Sequence, residues 1–283
     1  MYRHFRFIGR LLTSLVLAVT SSGPRRLVLV GLGNYTHPLT RHSVGQLLLK
    51  NLAQRATLDP RFSSSGSSTL QLVKHDRKHA SWTTRISLTP RFGAKRYEGK
   101  GQVELLFVLP KALMNISGPT AHAAYKDFLP AKAREKTPPP SPGPALEVFS
   151  LTPDDPAVSP PPQPRKRKPP SPPLKPIFRL LSLQDDLDLP PSKLRYQRGG
   201  GPRGHNGIRS LSSPSALDSR DFHRLWIGIG RPEERSAVAG WVLGPLGREE
   251  VNACEAGESE GEKGGEVLEK AWEEVLRVAY EED

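Results

Sequence analysis

The chain has 283 residues, of which 36% are hydrophobic, and this content allows one sizeable core or two small ones. The single cysteine, Cys254, excludes a disulfide framework and a cysteine metal cluster. The formal net charge is +12, yet the segment 255–283 holds 11 acidic and 3 basic residues, so the first 254 residues carry about +20. This basic body predicts a polyanionic partner, either nucleic acid or a membrane surface. The alternative is that the charge only keeps the protein in solution.

The first 25 residues contain four arginines and no acid, and they are rich in apolar, serine and threonine residues. This composition predicts a mitochondrial presequence over 1–25. An uncleaved cytoplasmic extension and a secretory signal are the alternatives. The apolar run from Leu11 to Val19 is too short to span a bilayer, and no membrane partner is expected.

The remaining chain alternates between apolar runs bounded by turn residues and segments with helical periodicity. The strand candidates are 26–33, 81–88, 103–109, 177–183, 193–198 and 224–230. The helix candidates are 41–56, with Thr40 as N-cap, a segment beginning with Ser117 as a cap and Pro119 in its first turn, and 266–279. This alternation predicts a single α/β domain over 26–283, with a twisted, mostly parallel or mixed central sheet flanked by helices.

A proline-rich segment interrupts this pattern at 131–175. Of the 29 prolines, 16 lie between Thr137 and Pro176, and such a run can form neither a helix nor a strand ladder. The sequence therefore predicts a disordered insertion between a helix and a strand. Its cluster "RKRK" (165–168) is interpreted as solvated charge, with an RNA contact as the alternative. A scaffold role, in which the insertion recruits SH3 or WW domains, is a further hypothesis.

Four short stretches place polar side chains at the ends of the predicted strands, where α/β folds bind their ligands. The polar side chains in these stretches are Asn34, His42, Asn115, Asp185, His205 and Asn206. A histidine base oriented by a carboxylate can activate water, and amides can hold a carbonyl and its developing oxyanion. This set favours hydrolysis at a carbonyl group. The structural alternatives are turn asparagines, a helix-capping His42 and a solvated aspartate turn.

The stretch "GGGPRGHNG" (199–207) does not end in the Gly-Lys-Ser/Thr of a phosphate-binding Walker loop. "GLGNYT" lacks the remaining glycine of a dinucleotide fingerprint, and the sequence has neither metal-ligand spacing nor a Gly-x-Ser-x-Gly elbow. The prediction is a hydrolase that uses no metal and no cofactor. The glycines are expected to turn the chain tightly, and His205 is expected to be structural.

Seven motifs occur in one order along the chain: "LVLVGLGN", "TRHSVG", "LPKALMNISG", "QDDLDLP", "GGGPRGHNGIRSL", "FHRLWIGIGRP" and "VAGWVLG". In this order and at nearly these spacings, they resemble the bacterial-type peptidyl-tRNA hydrolases, over about 26–130 and 176–250. The resemblance implies an enzyme that cleaves the ester between a peptide and the 3′ end of tRNA. It also implies a peptidyl-tRNA partner and no obligate protein partner. A monomer is expected by default.

The resemblance implies a role for each matching residue. His42 would be the general base, and Asp185 would hold it in its basic form. Asn34 would distinguish N-blocked peptidyl-tRNA from free aminoacyl-tRNA. Asn115 and Asn206 would hold the substrate and orient water. The cations for tRNA phosphates would lie on the stretch that contains Arg195, Gln197 and Arg198, and contacts of this kind are salt-sensitive and independent of sequence.

The sequence departs from the family pattern around the base. The loop from Asn34 to His42 is about two residues shorter than usual, and His37 stands where a substrate-binding tyrosine is expected. Leu113 stands where the family has an aromatic residue, and both His37 and Leu113 are predicted as substrate-binding positions by the resemblance. Activity is still expected, because the base, its aspartate and the asparagines are retained. The alternative is a catalytically weak RNA-binding relative with a splicing or ribosome-associated role.

Overall fold

The computed structural model describes residues 25–129, 178–212 and 222–281. The predicted presequence, apart from Arg25, and the whole predicted insertion 131–175 lie outside these residues. The described chain forms one eight-stranded sheet. Its strands are β1 (Arg25–Gly31), β2 (Phe62–Ser65), β3 (Gln71–Lys74), β4 (Ala80–Pro90), β5 (Val103–Pro110), β6 (Phe178–Asp186), β7 (Leu194–Arg198) and β8 (Phe222–Gly228).

The strand order is β2-β4-β5-β1-β6-β8-β7, with β3 also paired to β4. The four central strands, β5, β1, β6 and β8, are parallel, whereas β2, β3, β4 and β7 run antiparallel to their neighbours. Parallel strands need crossover connections and are covered on both faces, so their sequences are nearly continuous apolar runs. The predicted mixed α/β sheet is confirmed.

Two layers of helices cover the sheet. The helices are α1 (Val44–Leu58), α2 (Ser117–Phe128), α3 (Asn206–Leu211), α4 (Val238–Leu243), α5 (Arg248–Cys254) and α6 (Glu266–Tyr280). Alternate residues of β1 belong to two separate cores, because successive side chains of a strand point to opposite faces. Leu29 packs in the core with α1 and α6, and Val30 packs in the core with α2 and α3. No helix within the described ranges is long and apolar enough to cross a membrane.

Several local predictions were wrong. Strands β2 and β3 were missed, since one is a run of serines after a phenylalanine and the other is exposed throughout. Thr40 does not cap α1, because a 3₁₀ turn (Arg41–Ser43) comes first and the Thr40 hydroxyl donates to His37 O. Ser117 is the first residue of α2 rather than its cap, and its hydroxyl donates to Met114 O.

Candidate active site

The predicted polar residues lie at one edge of the sheet. Asn34 follows β1, Asn115 lies in a 3₁₀ turn (Met114–Ile116) after β5, and Asp185 is the penultimate residue of β6. These three strands are neighbours and parallel, so their carboxyl ends meet. The arrangement is the usual location of a ligand site in an open α/β sheet.

A glycine allows His42 to approach this edge. A Cβ added at Gly45 would lie 2.2 Å from the Leu183 carbonyl oxygen, so any larger residue would push α1 away from β6. With glycine in place, the 3₁₀ turn before α1 lies against the end of β6. His42 Nδ1 is 2.9 Å from both carboxylate oxygens of Asp185.

Asp185 is buried and accepts hydrogen bonds from two imidazoles. The Ile208 amide donates to His205 Nδ1 at 3.2 Å, so the His205 proton is on Nε2, which donates to Asp185 Oδ1 at 3.0 Å. His205 thus caps α3, in agreement with the structural role expected of it, but it also contacts the carboxylate. Sequence reasoning missed this second contact, because the sequence around a capping histidine gives no sign of where its other nitrogen points.

The Asp185 carboxylate and the His42 imidazole change each other's pKa. Burial alone would raise the pKa of Asp185, but the hydrogen bonds from His205 and His42 outweigh burial and hold it well below its ordinary value. Burial alone would lower the pKa of His42, but the hydrogen bond and negative charge of Asp185 outweigh it and raise that pKa above 6.5. With Nδ1–H donated to a carboxylate, the lone pair of His42 is on Nε2, which no donor of the described residues contacts.

The three predicted asparagines differ in their hydrogen bonds. Asn34 Oδ1 accepts from the Met114 amide at 2.9 Å, which leaves the Nδ2 donors available and joins the loops after β1 and β5. Asn206 Oδ1 accepts from Arg209 Nη1 at 3.1 Å, and Asn115 is exposed. The structure therefore gathers all three at the edge that holds His42, and only Asn34 is firmly oriented.

An aromatic pair lies beside Asn34. The rings of Tyr35 and Trp82 have centroids 6.2 Å apart, and Trp82 comes from β4, which sequence reasoning did not connect to the site. His37, at the position of the expected tyrosine, is exposed and bonds Thr36 Oγ1 through Nδ1. Leu113 is 43% exposed. Aromatic surface is therefore present near Asn34, although neither His37 nor Leu113 supplies it.

The segment that contains α4 holds the short loop before His42. The Leu246 amide donates to Leu39 O at 2.8 Å, and the Arg41 amide donates to Gly244 O at 2.9 Å. The Arg41 guanidinium lies 3.8 Å from the centre of the Trp241 ring. Leu39 has a φ of 61°, a region that few non-glycine residues adopt, and these contacts maintain it.

The residues expected to contact tRNA phosphates all have partners within the chain. Arg195 pairs with Asp186, and the Gln197 amide oxygen accepts from Trp226 Nε1 at 3.1 Å. Arg198 lies 3.9 Å from a Glu281 carboxylate oxygen, toward the opposite edge of the sheet from the site. Their role toward tRNA stays a prediction.

His42, Asp185 and His205 are also the one group of described residues whose ligand atoms are close enough to hold a metal ion, all within 4.8 Å of one another. In the structure the same atoms satisfy one another as hydrogen-bond donors and acceptors. An ion would have to replace both imidazole–carboxylate bonds, because a ligating nitrogen cannot also carry a proton. Metal binding by this cluster and its two imidazole–carboxylate hydrogen bonds are therefore mutually exclusive.

Comparison with known proteins identifies the family. The family model described as peptidyl-tRNA hydrolase matches residues 174–279. The peptidyl-tRNA hydrolase of Solidesulfovibrio magneticus is 30% identical over 221 residues, which cover 76% of this chain and 74% of that protein. This chain belongs to the peptidyl-tRNA hydrolase family.

A mouse relative described as a probable peptidyl-tRNA hydrolase is 28% identical over 226 residues, covering 80% of this chain and 76% of its own. The crystal structure of peptidyl-tRNA hydrolase from Acinetobacter baumannii superposes with a TM-score of 0.44 at 23% identity, covering 92% of this chain and 88% of that one. The resemblance noted in the sequence, and the ester hydrolase class that it implied, are confirmed.

Proposed function

We propose that this chain hydrolyses the ester bond that joins an N-blocked aminoacyl or peptidyl group to tRNA. The observation that supports the proposal most is the His42–Asp185 pair, held at 2.9 Å at the carboxyl edge of the sheet in a member of the peptidyl-tRNA hydrolase family. Such a pair supplies a base near neutral pH, and a base of this kind accelerates the attack of water on an ester.

In the proposed mechanism, His42 Nε2 removes a proton from a water molecule as the water oxygen attacks the ester carbonyl. Asp185 accepts the hydrogen bond from Nδ1–H and stabilises the imidazolium that forms. The tetrahedral intermediate then expels the ribose oxygen, which takes the proton from His42. General-base assistance of this kind contributes roughly 10²–10⁴-fold in rate.

The amides complete the site. The Nδ2 donors of Asn34 face the substrate side because Oδ1 is held by the Met114 amide. We assign to them the amide carbonyl of an N-blocked substrate, which free aminoacyl-tRNA lacks. Asn115 and Asn206 hold the peptide and the terminal nucleotide and orient the water. A single donor to the developing oxyanion is typically worth roughly 10²–10³-fold.

The test is release of a radiolabelled N-acetylaminoacyl group from tRNA by the purified protein, with free aminoacyl-tRNA as the comparison. We expect release from the blocked ester, little release from the free one, and loss of release in His42→Ala. Tight RNA binding without hydrolysis would instead favour the weakly catalytic RNA-binding relative. Undiminished turnover in His42→Ala would remove the proposed base.

We also propose that the basic segment 1–25 directs the chain to mitochondria. The supporting observation is its composition of four arginines and no acidic residue. Residues 1–30 fused to a fluorescent protein should colocalise with a mitochondrial stain. Diffuse fluorescence would contradict import, and unchanged colocalisation after replacement of the four arginines by glutamine would contradict their role in it.

A further inference from the structure

The basic turn 74–79 consists of the last residue of β3 and the turn that joins β3 to β4. It carries the sequence "KHDRKH" and lies at the same edge of the sheet as His42. Strand β4 runs antiparallel to β5, so its first residues pair with the carboxyl end of β5, where Ser81 is opposite Pro110. Trp82 follows and contacts Tyr35, next to Asn34. The basic turn is therefore adjacent to the aromatic end of the candidate site.

Within the described ranges, the cations of this turn have no acidic partner. Lys74, Arg77 and Lys78 are exposed, and no ion pair among the described residues includes them. They line an open pocket with a volume of about 590 Å³. Lys111, also exposed, continues the positive charge toward the site, with its Nζ 5.9 Å from the centre of the Trp82 ring.

Asp76, the acidic residue of the turn, holds the turn in its conformation. Asp76 Oδ1 accepts from the Lys78 and His79 amides, both at 2.7 Å, and Oδ2 bonds His79 Nδ1 at 2.7 Å. The His79 side chain, followed by these amides, lowers the pKa of Asp76 to about 2, so the carboxylate remains charged. Counted over Lys74, Arg77, Lys78 and Asp76, the turn carries a charge of +2.

A second set of bonds fixes the turn to the body of the protein. His75 Nδ1 donates to Asp127 Oδ2 of α2 at 2.7 Å, and the Ser81 hydroxyl donates to His75 Nε2 at 2.6 Å. Ser81 is fully buried, so this arrangement offers no nucleophile to solvent and acts as a clamp. A surface held in this way loses little conformational entropy when it binds a ligand.

We propose that the basic turn 74–79 binds an RNA phosphate backbone beside the active site. Separated lysine and arginine side chains on a fixed surface, continued by an aromatic ring and a further cation, suit a sugar-phosphate backbone and its exposed bases. The proposal rests on the proposed function only for the identity of the RNA, which is the tRNA portion of the substrate. A separate structured RNA would present the same chemistry.

The experiment compares two full-length variants that lose the same charge. One is Lys74→Gln/Arg77→Gln/Lys78→Gln, which keeps Asp76 and the clamp. The matched control is Arg91→Gln/Lys95→Gln/Arg96→Gln in the turn after β4, at the opposite edge of the sheet. There Arg91 already pairs with Glu260, at 2.7 Å.

Two readouts are needed. Binding of deacylated tRNA and of an unrelated structured RNA is measured against salt concentration. Hydrolysis is measured on N-acetylaminoacyl-tRNA and on N-acetylaminoacyl-adenosine, which has the ester but almost no backbone. We expect the 74–79 variant to lose about tenfold in kcat/KM on the tRNA substrate only. Its logarithmic salt slope should fall by about 2, at roughly 0.7–0.9 per lost phosphate contact.

Each outcome decides the proposal. Loss of structured-RNA binding with unchanged tRNA binding and hydrolysis would support the RNA site and assign it to a separate RNA. RNA binding equal to that of the control variant, for both RNAs, would overturn it. If the wild type hydrolysed neither ester, the proposed function would fail, while the binding measurements would still decide the role of the turn.

Discussion

Two histidine–aspartate pairs of this chain differ in which partner is buried. In the pair His42–Asp185 the aspartate side chain is 4% exposed, and the second nitrogen of the histidine contacts no donor of the described residues. In the pair His75–Asp127 the aspartate side chain is 53% exposed, and the second nitrogen accepts from Ser81. Both histidines donate Nδ1–H to a carboxylate, so this bond alone does not define a catalytic base. What distinguishes His42, the base of the proposed mechanism, is an available Nε2 beside a buried carboxylate.

The largest effect should come from removing the His42 imidazole, and removal of the His75 imidazole is the comparison. His42→Gln should lower turnover of N-acetylaminoacyl-tRNA by roughly 10²–10⁴-fold, because the general base is lost. His75→Gln should leave kcat within a few-fold of the wild type, since His75 lies in the clamp. Single-turnover rates, with folding checked by circular dichroism, measure both. Equal losses in the two variants would mean that the difference between the pairs has no catalytic meaning.

The next effect tests how His42 is brought to Asp185. Gly45→Ala places a methyl group 2.2 Å from the Leu183 carbonyl and should force α1 away from β6. Overpacking of this kind typically costs about 1–3 kcal/mol of the free energy of unfolding. Denaturant titration measures that cost, and kcat should fall as well. Gly240→Ala is the control for an exposed glycine, because no atom lies within 4 Å of its added Cβ and its φ is not in the left-handed region. Full stability and activity in Gly45→Ala would exclude this packing role.

A smaller effect is expected from the clamp. Ser81→Ala leaves His75 Nε2 without its donor and should lower the free energy of unfolding by about 1 kcal/mol. Hydrolysis of N-acetylaminoacyl-adenosine should not change, because the small ester does not reach the clamp. Chemical denaturation and the minimal-substrate assay measure the two quantities. A fall in kcat on this ester would place the clamp in the catalytic machinery.

The smallest effect on turnover is expected from the removal of metal ions. We expect dialysis against a chelator to leave turnover by the protein unchanged, since the proposed site uses His42 and Asp185 without an ion. Excess zinc should inhibit by occupying the His42, Asp185 and His205 cluster, whose ligand atoms lie within 4.8 Å of one another. Loss of activity on chelation and its recovery with a divalent ion would contradict the metal-free mechanism.

Much of the fold was predictable because the central parallel strands are nearly continuous apolar runs. All six predicted strands exist, with shifts at their ends, and the terminal helix was predicted to within one residue at Tyr280. Strand β3 was not predictable from periodicity, since "QLVK" is exposed along its whole length and is a strand only through its pairing with β4. Long-range pairing of this kind leaves no local pattern.

The site was predictable where residues lie at strand ends. The positions of Asn34, Asn115 and Asp185 followed from the meeting of parallel strand ends, and the contact of His42 with Asp185 agrees with the expected pairing. Trp82 was not predictable, because it reaches the site from β4 through the antiparallel register. The second contact of Asp185, from His205, was also not expected, since a helix-capping histidine gives no sign of where its other nitrogen points.

The pH dependence of single-turnover hydrolysis tests the central claim most directly. The base must be neutral, so the wild-type rate should fall toward acid with a midpoint above 6.5, in line with the raised pKa of His42. In Asp185→Asn the charge that raises this pKa is removed while burial remains. The acid limb of the pH–rate profile should therefore move to lower pH, and the rate on its plateau should fall at least about tenfold. Asp127→Asn should change neither. An acid limb that stays in place in Asp185→Asn would contradict His42 as the base oriented by Asp185.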